Sequence, residues 1–457
     1  MPEYKYQSYL NDSAETVFRW HTRPGALQRL MPPWHHIRKL EKKGSIRDGD
    51  EISFHLQRGP LDIRWRAIHK NYREGVSFTD EQVEGVFQKW IHTHAFYDNG
   101  PEQCLAEDHV EYELPFPPVG GLLLDWMVQR EHQRVFRFRH ERLKNDLARH
   151  RRFADRPRLR IAITGASGFI GTQLRFFLQT GGHEVYALVR RTPEPEQNEI
   201  YWNPDLREID APALENFDAV IHLAGERLSR LRWTDEFKKR VFHSRVDGTA
   251  FLCETLAALE NPPKTLISSS ATGYYGDTGI HCVDESAPSG EGFLAHVCRH
   301  WEVATQPAQD AGVRVVHLRI GVVMGAAGGM LKTVRLPFQF CLGGKLGSGR
   351  QHLSWISLDD LLGAIYYVMY RHDISGAVNA VSPIPVSHEE FTQTLADLLN
   401  RPAFLSVPET AARYLMGDMA DELLFTSQCV LPRKLEHSDF VFYHKTIHDA
   451  LRFELGV

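Results

Sequence analysis

Three glycines at a fixed spacing are the first feature of this chain that could do chemistry. Thr164-Gly165-Ala166-Ser167-Gly168-Phe169-Ile170-Gly171 follows an apolar strand candidate and leads into a helical one. In that context Gly165 permits a tight turn, Gly168 lets backbone approach a pyrophosphate, and Gly171 allows a helix to pack close to a strand. The helix N-terminus then offers its free N–H groups to phosphate oxygens. The end of the following strand ordinarily carries Asp or Glu for ribose hydroxyls. Here it reads Leu188-Val189-Arg190-Arg191. With no carboxylate to repel a 2′-phosphate and two guanidiniums to bind it, the expected cofactor is NADP(H) rather than NAD. The plainer alternative is a pair of solvated arginines.

A second constellation lies far upstream. On the candidate strand Phe87–Phe96, Trp90, His92, His94 and Phe96 share one face, because side chains alternate along a strand. Two histidines among aromatics could line a cavity and hydrogen-bond a ligand, or form an ordinary half-buried strand face. No third ligand is evident near them, so no metal site is expected. The six cysteines (Cys104, Cys253, Cys282, Cys298, Cys341 and Cys429) lie far apart with no CxxC pair. That pattern suits reduced thiols in a cytoplasmic protein rather than a disulfide framework or zinc site.

The elements that must position these groups fall into blocks. At 457 residues the chain is too long for one ordinary core, and roughly 150 residues per domain suggests about three. With 42% apolar and 24% charged residues the composition is that of a folded globular chain. A net charge of −5 argues against nucleic acid or an anionic membrane as the main partner. No apolar run reaches the roughly 18 residues of a membrane span, and the start lacks the apolar stretch of a signal peptide.

Residues 1–150 read as an α+β domain. Asp12, with Glu15 three residues on, predicts a helix N-cap. Alternating segments around Ile52–Leu56 and Leu61–Ala67, then Phe87–Phe96 and Cys104–Leu114, predict strands. After the turn-rich Pro115–Gly121 a helix is expected over Leu122–Leu147. Residues 151–159 read as a basic, solvated linker. From Ile161 strands alternate with helices, the pattern of a parallel sheet. Strands are expected at Ile161–Thr164, Val185–Val189, Ala219–Leu223, Thr265–Ser268 and Val313–Leu318. The helix 235–258 has Thr234 as its N-cap, and residues 376–457 form a smaller mixed tail.

The glycine spacing, together with Asp218-Ala-Val-Ile-His-Leu-Ala-Gly225, Ser268-Ser-Ser-Ala-Thr272, Tyr275-Gly276 and Trp355-Ile-Ser-Leu-Asp-Asp360, resembles the extended short-chain dehydrogenase/reductase superfamily in its sugar-nucleotide epimerase-like branch. Leu223-Ala-Gly-Glu226, Arg232-Trp-Thr234, Gly273-Tyr-Tyr-Gly276, Gly292-Phe-Leu-Ala295 and Gly347-Ser-Gly-Arg-Gln351 are similar to an atypical family of that branch, sometimes labelled cell-division inhibitor homologues. The segments Asn379–Pro383, Arg401-Pro402 and Leu431-Pro432 look like that family's own C-terminal domain. Residues 1–150 resemble, by pattern only, a START-like helix grip of the polyketide cyclase type. The implied fold is an α/β Rossmann-type parallel sheet with helices on both faces (160–375). A helix-grip domain (1–150) precedes it and a family-specific C-terminal domain (376–457) follows.

The resemblance also implies roles. Gly165, Ser167, Gly168, Phe169, Ile170 and Gly171 would surround the pyrophosphate, and Arg190, aided by Arg191, would meet the 2′-phosphate. Leu223, Ala224 and Gly225 would line the adenosine side, while Ser268 and Ser269 would approach the nicotinamide. Ser270 matches the superfamily's catalytic Ser/Thr. Met330, Arg350 and Gln351 fall where relatives build a substrate pocket, although Arg350 could equally be a surface ion pair. One departure is serious: the positions of the superfamily's Tyr-x-x-x-Lys hold Leu294 and Cys298. Leucine cannot donate a proton, and a thiol does not supply an ammonium's field. Tyr274, Tyr275 or His296 could supply the acid or base instead. The expected function is an NADP(H)-dependent oxidoreductase or epimerase acting on a small molecule, fused to a module for an apolar ligand. The rivals are a non-catalytic NADP(H)-binding regulator and an apolar-ligand carrier.

Overall fold

The computed structural model describes residues 2–115 and 121–457, so most of the turn-rich 115–121 segment lies outside the described residues. The chain divides into two compact units. One comprises 1–156, 179–182 and 455–457; the other comprises 157–178 and 183–454.

In the first unit seven antiparallel strands form one sheet: β1 (Glu3–Leu10), β2 (His36–Lys43), β3 (Glu51–Arg58), β4 (Leu61–Arg73), β5 (Ser77–Glu84), β6 (Lys89–Asp98) and β7 (Cys104–Glu113). The order is β1-β7-β6-β5-β4-β3-β2, so each strand from β2 to β6 pairs with its successor and β1 returns to the far edge beside β7. Helices α1 (Ala14–Thr22) and α2 (Ala26–Leu30) fill the connection after β1, and α3 (Gly121–Arg151) follows β7. The cap of α1 is Ser13, whose hydroxyl accepts from Thr16 N, not Asp12 as the spacing suggested. Asp12 instead pairs with Arg151 at 3.2 Å. Val17, Phe18 and Trp20 of α1 and Leu143 and Leu147 of α3 pack with Phe78 and Phe96 of the sheet into one core. Each such buried side chain contributes about 1.5–3 kcal/mol relative to exposure. A bidentate ion pair, Arg29 Nε and Nη2 to Asp146 at 2.8 and 2.6 Å, lies within this unit almost without solvent exposure. The final residues of the chain belong here too: Arg134 Nε donates to Gly456 O at 2.7 Å.

The second unit is built on an eight-stranded sheet of β8 (Arg160–Thr164), β9 (Glu184–Val189), β10 (Glu199–Asn203), β11 (Glu208–Ile209), β12 (Ala219–His222), β13 (Thr265–Ala271), β14 (Arg314–Ile320) and β15 (Gly376–Ala380). All neighbours are parallel except β11, which closes one edge antiparallel to β10. The order β11-β10-β9-β8-β12-β13-β14-β15 reverses direction between β8 and β12. Ligands of open parallel sheets bind at that kind of switch point, beyond the carboxyl ends of the strands. Alternate residues Ala162, Val220, Leu266 and Val315 pack with Phe251, Leu252 and Leu256 of α5 (Asp235–Ala257). The intervening Ile161, Ile163, Ile221 and Ile267 are equally buried, so the sheet is covered on both faces, which is why these strands read as continuous apolar runs. Thr234 caps α5 as expected, accepting from Phe237 N at 3.2 Å. Because β15 spans 376–380, the sheet runs through the boundary expected at residue 376.

The expectation of reduced thiols is corrected at one pair and met at the other four cysteines. Cys282 and Cys429 are partners in a short parallel pairing and form a disulfide across 147 residues of sequence. Cys104, Cys253 and Cys298 are buried free thiols, and Cys341 is a half-buried one. No helix among the described residues is long and apolar enough to cross a membrane.

Candidate functional site

The glycine loop joins β8 to α4 (Phe169–Thr180). Gly165 has φ +69°, and a Cβ there would lie 2.9 Å from the Leu223 carbonyl carbon and oxygen. Any larger residue would push β12's following turn away from the loop. Gly168 N donates to Gly165 O at 2.9 Å, and Thr172 N to Gly168 O at 3.0 Å, so the turn runs directly into the helix. A Cβ on Gly171 would lie 2.9 Å from Ala166 Cα and closer still to Gly165 O. The side chain of Phe169 occupies the space where Gly325 and Gly328 lack one. Phe169 therefore links the glycine loop to the loop after β14 as well as flanking the helix N-terminus.

A pin that sequence reasoning overlooked holds the two loops in register. Thr164 Oγ1 accepts from Leu223 N at 3.1 Å and Ala224 N at 3.2 Å. It lies 2.7 Å from His222 Nδ1, whose Nε2 is 2.9 Å from Thr249 Oγ1. Burial pushes His222 down to about 4, so the imidazole is neutral and bridges two hydroxyls. Ser269 Oγ donates to His222 O at 2.9 Å. Ser268 is buried beside it.

The two arginines after β9 separate in role. Arg191 is held at 2.7 Å by Glu199, itself 4% exposed, and at 2.8 Å by Glu194. Arg190 is 69% exposed and, among the described residues, pairs with the exposed Asp205 at 3.6 Å.

Ser270 ends in a buried charged network. Its hydroxyl donates to Glu302 Oε1 at 2.8 Å. Arg319 grips the same carboxylate with Nε (2.8 Å) and Nη2 (2.9 Å), and its Nη1 donates to the Tyr275 hydroxyl at 2.8 Å. Tyr275 in turn donates to Asn379 Oδ1 at 2.8 Å, which places a residue of β15 in the site. Burial pushes the Tyr275 phenol up to about 12 despite the arginine beside it. The Arg319 guanidinium stacks over the Tyr274 ring, 3.4 Å from its centroid. Leu294 and Cys298, on α6 (Phe293–Val303), lie against Gly273. Burial, then Glu302, raises the Cys298 thiol to about 11, as befits an inert filler.

The C-terminal segment completes this region. Glu422 accepts from Phe293 N and Leu294 N at 2.8 and 3.0 Å, a carboxylate at the N-terminus of α6. Thr272 Oγ1 donates to Gln428 at 2.7 Å. Gln351 spends its amide on the carbonyls of Leu346 and Leu424 (3.2 and 3.1 Å), which is a scaffolding arrangement. Arg350 is exposed, and Met330 is half-buried near the start of the helix 329–339.

The upstream histidines lie in the first unit among carboxylates that the strand register supplies. Asp80 of β5 is opposite His92, and Asp108 of β7 is opposite His94. Asp108 contacts His92 Nε2 at 2.7 Å, His94 Nδ1 at 2.6 Å and, from α3, His140 Nε2 at 2.6 Å. Asp80 lies 3.3 Å from His94 Nε2 and 3.9 Å from His92 Nδ1. The strand register supplies the third potential ligand that the local sequence lacked: Asp80, His92 and His94 converge, each offering one donor atom within 4.8 Å of the others. Burial pushes His92 down to about 4. It works the same way on His94, yet Asp108 and Asp80 hold that imidazole up at about 9.

Comparison with known proteins agrees with the second unit's geometry. Residues 161–380 match the NAD dependent epimerase/dehydratase family, and residues 407–454 match a domain of unknown function, DUF1731. An epimerase family protein of Mycobacterium bovis is 43% identical over 293 residues, 64% of this chain and 96% of that protein. The chain belongs to the epimerase family. A crystal structure of a nucleoside-diphosphate sugar epimerase from Corynebacterium glutamicum superposes with TM-score 0.81 at 33% identity, covering 99% of this chain and 90% of that one. The human epimerase family protein SDR39U1, solved with NADPH, is 30% identical with TM-score 0.61, over 65% of this chain and all of that one. A Rossmann-like α/β domain of the epimerase family followed by DUF1731 therefore accounts for the second unit.

Proposed function

We propose that the second unit binds NADP(H) and is an epimerase or oxidoreductase acting on a small molecule. The observation that carries the cofactor choice is the exposed, loosely paired Arg190 at the end of β9, where a carboxylate would select NAD. The NADPH in the human relative supports the same choice. The glycine loop, Leu223–Gly225 and the Ser268–Ser269 strand end fit the pyrophosphate, adenosine and nicotinamide portions in turn. When bound, the nicotinamide would supply or accept a hydride.

Ser270, whose proton points at Glu302, presents its oxygen as an acceptor, which favours a substrate hydroxyl as its partner. Tyr274 is the better candidate proton donor, because the Tyr275 hydroxyl is engaged by both Arg319 and Asn379. Met330 and Arg350 are read as substrate-side residues, and the name of the Corynebacterium protein makes nucleoside-diphosphate sugars the first class to screen. The first unit we read as a START-like helix-grip module for a small ligand, on the strength of its strand order and its long final helix.

A second reading, a non-catalytic NADP(H)-binding regulator, draws on Leu294 and Cys298 standing where a proton-relay tyrosine and lysine would be. Calorimetric titration with NADPH and NADH tests the cofactor. Arg190→Ala should weaken NADPH roughly 10–100-fold and leave NADH unchanged, the worth of hydrogen bonds to a charged group. Arg191→Ala should change NADPH binding much less. If neither nucleotide binds at millimolar concentration, the cofactor reading fails. Turnover of nicotinamide absorbance with any screened sugar nucleotide would exclude the regulator.

A further inference from the structure

We propose that Asp80, His92 and His94 of the first unit form a binding site for a divalent transition-metal ion of the zinc type, with Asp108 as the carboxylate that orients both imidazoles. Imidazole nitrogen and carboxylate oxygen are the donors such ions take, and three of them leave a position open for water or a ligand atom.

The spacing fits. His94 Nε2 and His92 Nδ1 lie 3.3 and 3.9 Å from Asp80 Oδ2. Two ligands of a tetrahedral ion with bonds of about 2.0–2.1 Å are about 3.4 Å apart. The three donor atoms lie within 4.8 Å of one another, so the set must draw in to close on an ion.

The orientation fits as well. Metal-bound histidines almost always direct their other ring nitrogen at a carboxylate or carbonyl. Here both do so, and to one group: His92 Nε2 and His94 Nδ1 meet Asp108 Oδ1 at 2.7 and 2.6 Å. Asp108 is itself fixed by His140 Nε2 at 2.6 Å, whose Nδ1 lies 2.6 Å from Ser8 Oγ. The nitrogens left over, His92 Nδ1 and His94 Nε2, are the two that approach Asp80.

A third imidazole faces the same carboxylate: Nδ1 of the buried His69 lies 2.5 Å from Asp80 Oδ1. The Asp80 side chain is 17% exposed, which gives an ion a way in.

The test is calorimetric titration of Zn2+ into chelator-treated, full-length protein, with Co2+ absorbance as a second readout. The expected result is one saturating equivalent per chain at micromolar concentration or below, and the strong visible absorption of tetrahedral cobalt. Asp80→Asn should weaken binding at least 100-fold, and Asp108→Asn about 10–100-fold. His243→Gln, which breaks the exposed pair with Asp247, should change nothing. Circular dichroism checks that each variant is folded. If Asp80→Asn does not fold, the wild-type cobalt spectrum decides: a tetrahedral band supports the site, and the weak spectrum of hydrated cobalt overturns it. Absence of saturable Zn2+ binding, or full binding by folded Asp80→Asn, also overturns it.

Discussion

Gly171→Ala should lower NADPH affinity by about 100-fold, the equivalent of about 2.8 kcal/mol, and lower the stability of the second unit. Helix propensity argues the other way, since glycine inside a helix costs roughly 0.5–1 kcal/mol relative to alanine. The steric term decides the sign. The new Cβ would sit 2.9 Å from Ala166 Cα and from the Gly165 carbonyl carbon, which are backbone atoms that cannot rotate aside. Either α4 lifts off the glycine loop or the loop deforms, at a cost of about 1–3 kcal/mol for overpacking. Both routes displace the N–H groups that would face the pyrophosphate. Gly248→Ala is the matched control. It also lies in a helix, but its Cβ would meet only Pro204 Cβ at 3.7 Å, an ordinary contact. That variant should be neutral or stabilised by up to about 1 kcal/mol, with nucleotide affinity unchanged. Calorimetry and thermal melting read both effects. Wild-type NADPH affinity in Gly171→Ala would mean that the cofactor does not lie on α4.

Arg319→Met should destabilise the second unit by about 3–5 kcal/mol, because it strands the Glu302 carboxylate in a site from which water is largely excluded. Arg319 is 4% exposed and donates two hydrogen bonds to Glu302, beside the one from Ser270, as well as one to Tyr275. At roughly 2–4 °C per kcal/mol for a unit of this size, the melting point should fall by about 10 °C. Glu302→Gln combined with Arg319→Met should recover part of that loss, since no uncompensated charge remains. Thermal unfolding of the single and double variants measures the coupling. A drop of less than about 1 kcal/mol in the single variant would show that the network is solvated. The same cycle bears on Ser270, whose hydroxyl would lose a fixed, ionised acceptor in Glu302→Gln and should then donate to substrate oxygen more freely.

Local patterns were legible where the physical cause is local. The glycine motif, the apolar strands expected at 161–164, 219–223 and 265–268, and the Thr234 cap all depend on residues within a turn or two; the strands form at 160–164, 219–222 and 265–271, and the cap holds. Strands β2 (HIRKLEKK) and β5 (SFTDEQVE) were not, because charge masks their alternation and pairing with β3, β4 and β6 makes them strands. Strand β15 reads as part of a separate tail, since five residues of mild hydrophobicity carry little signal without the neighbour β14.

The residues themselves therefore specified a parallel-sheet nucleotide fold, its glycine loop and the arginines beside it, since turns, caps and apolar runs act over short range. Contacts remote in sequence could come only from folding. Cys282 meets Cys429 because two short strands pair in register. Arg190 and Arg191, adjacent and identical in type, differ because Glu199 folds back onto only one of them. Asp80 joins His92 and His94 because antiparallel pairing sets it opposite His92, and no local pattern contains that register.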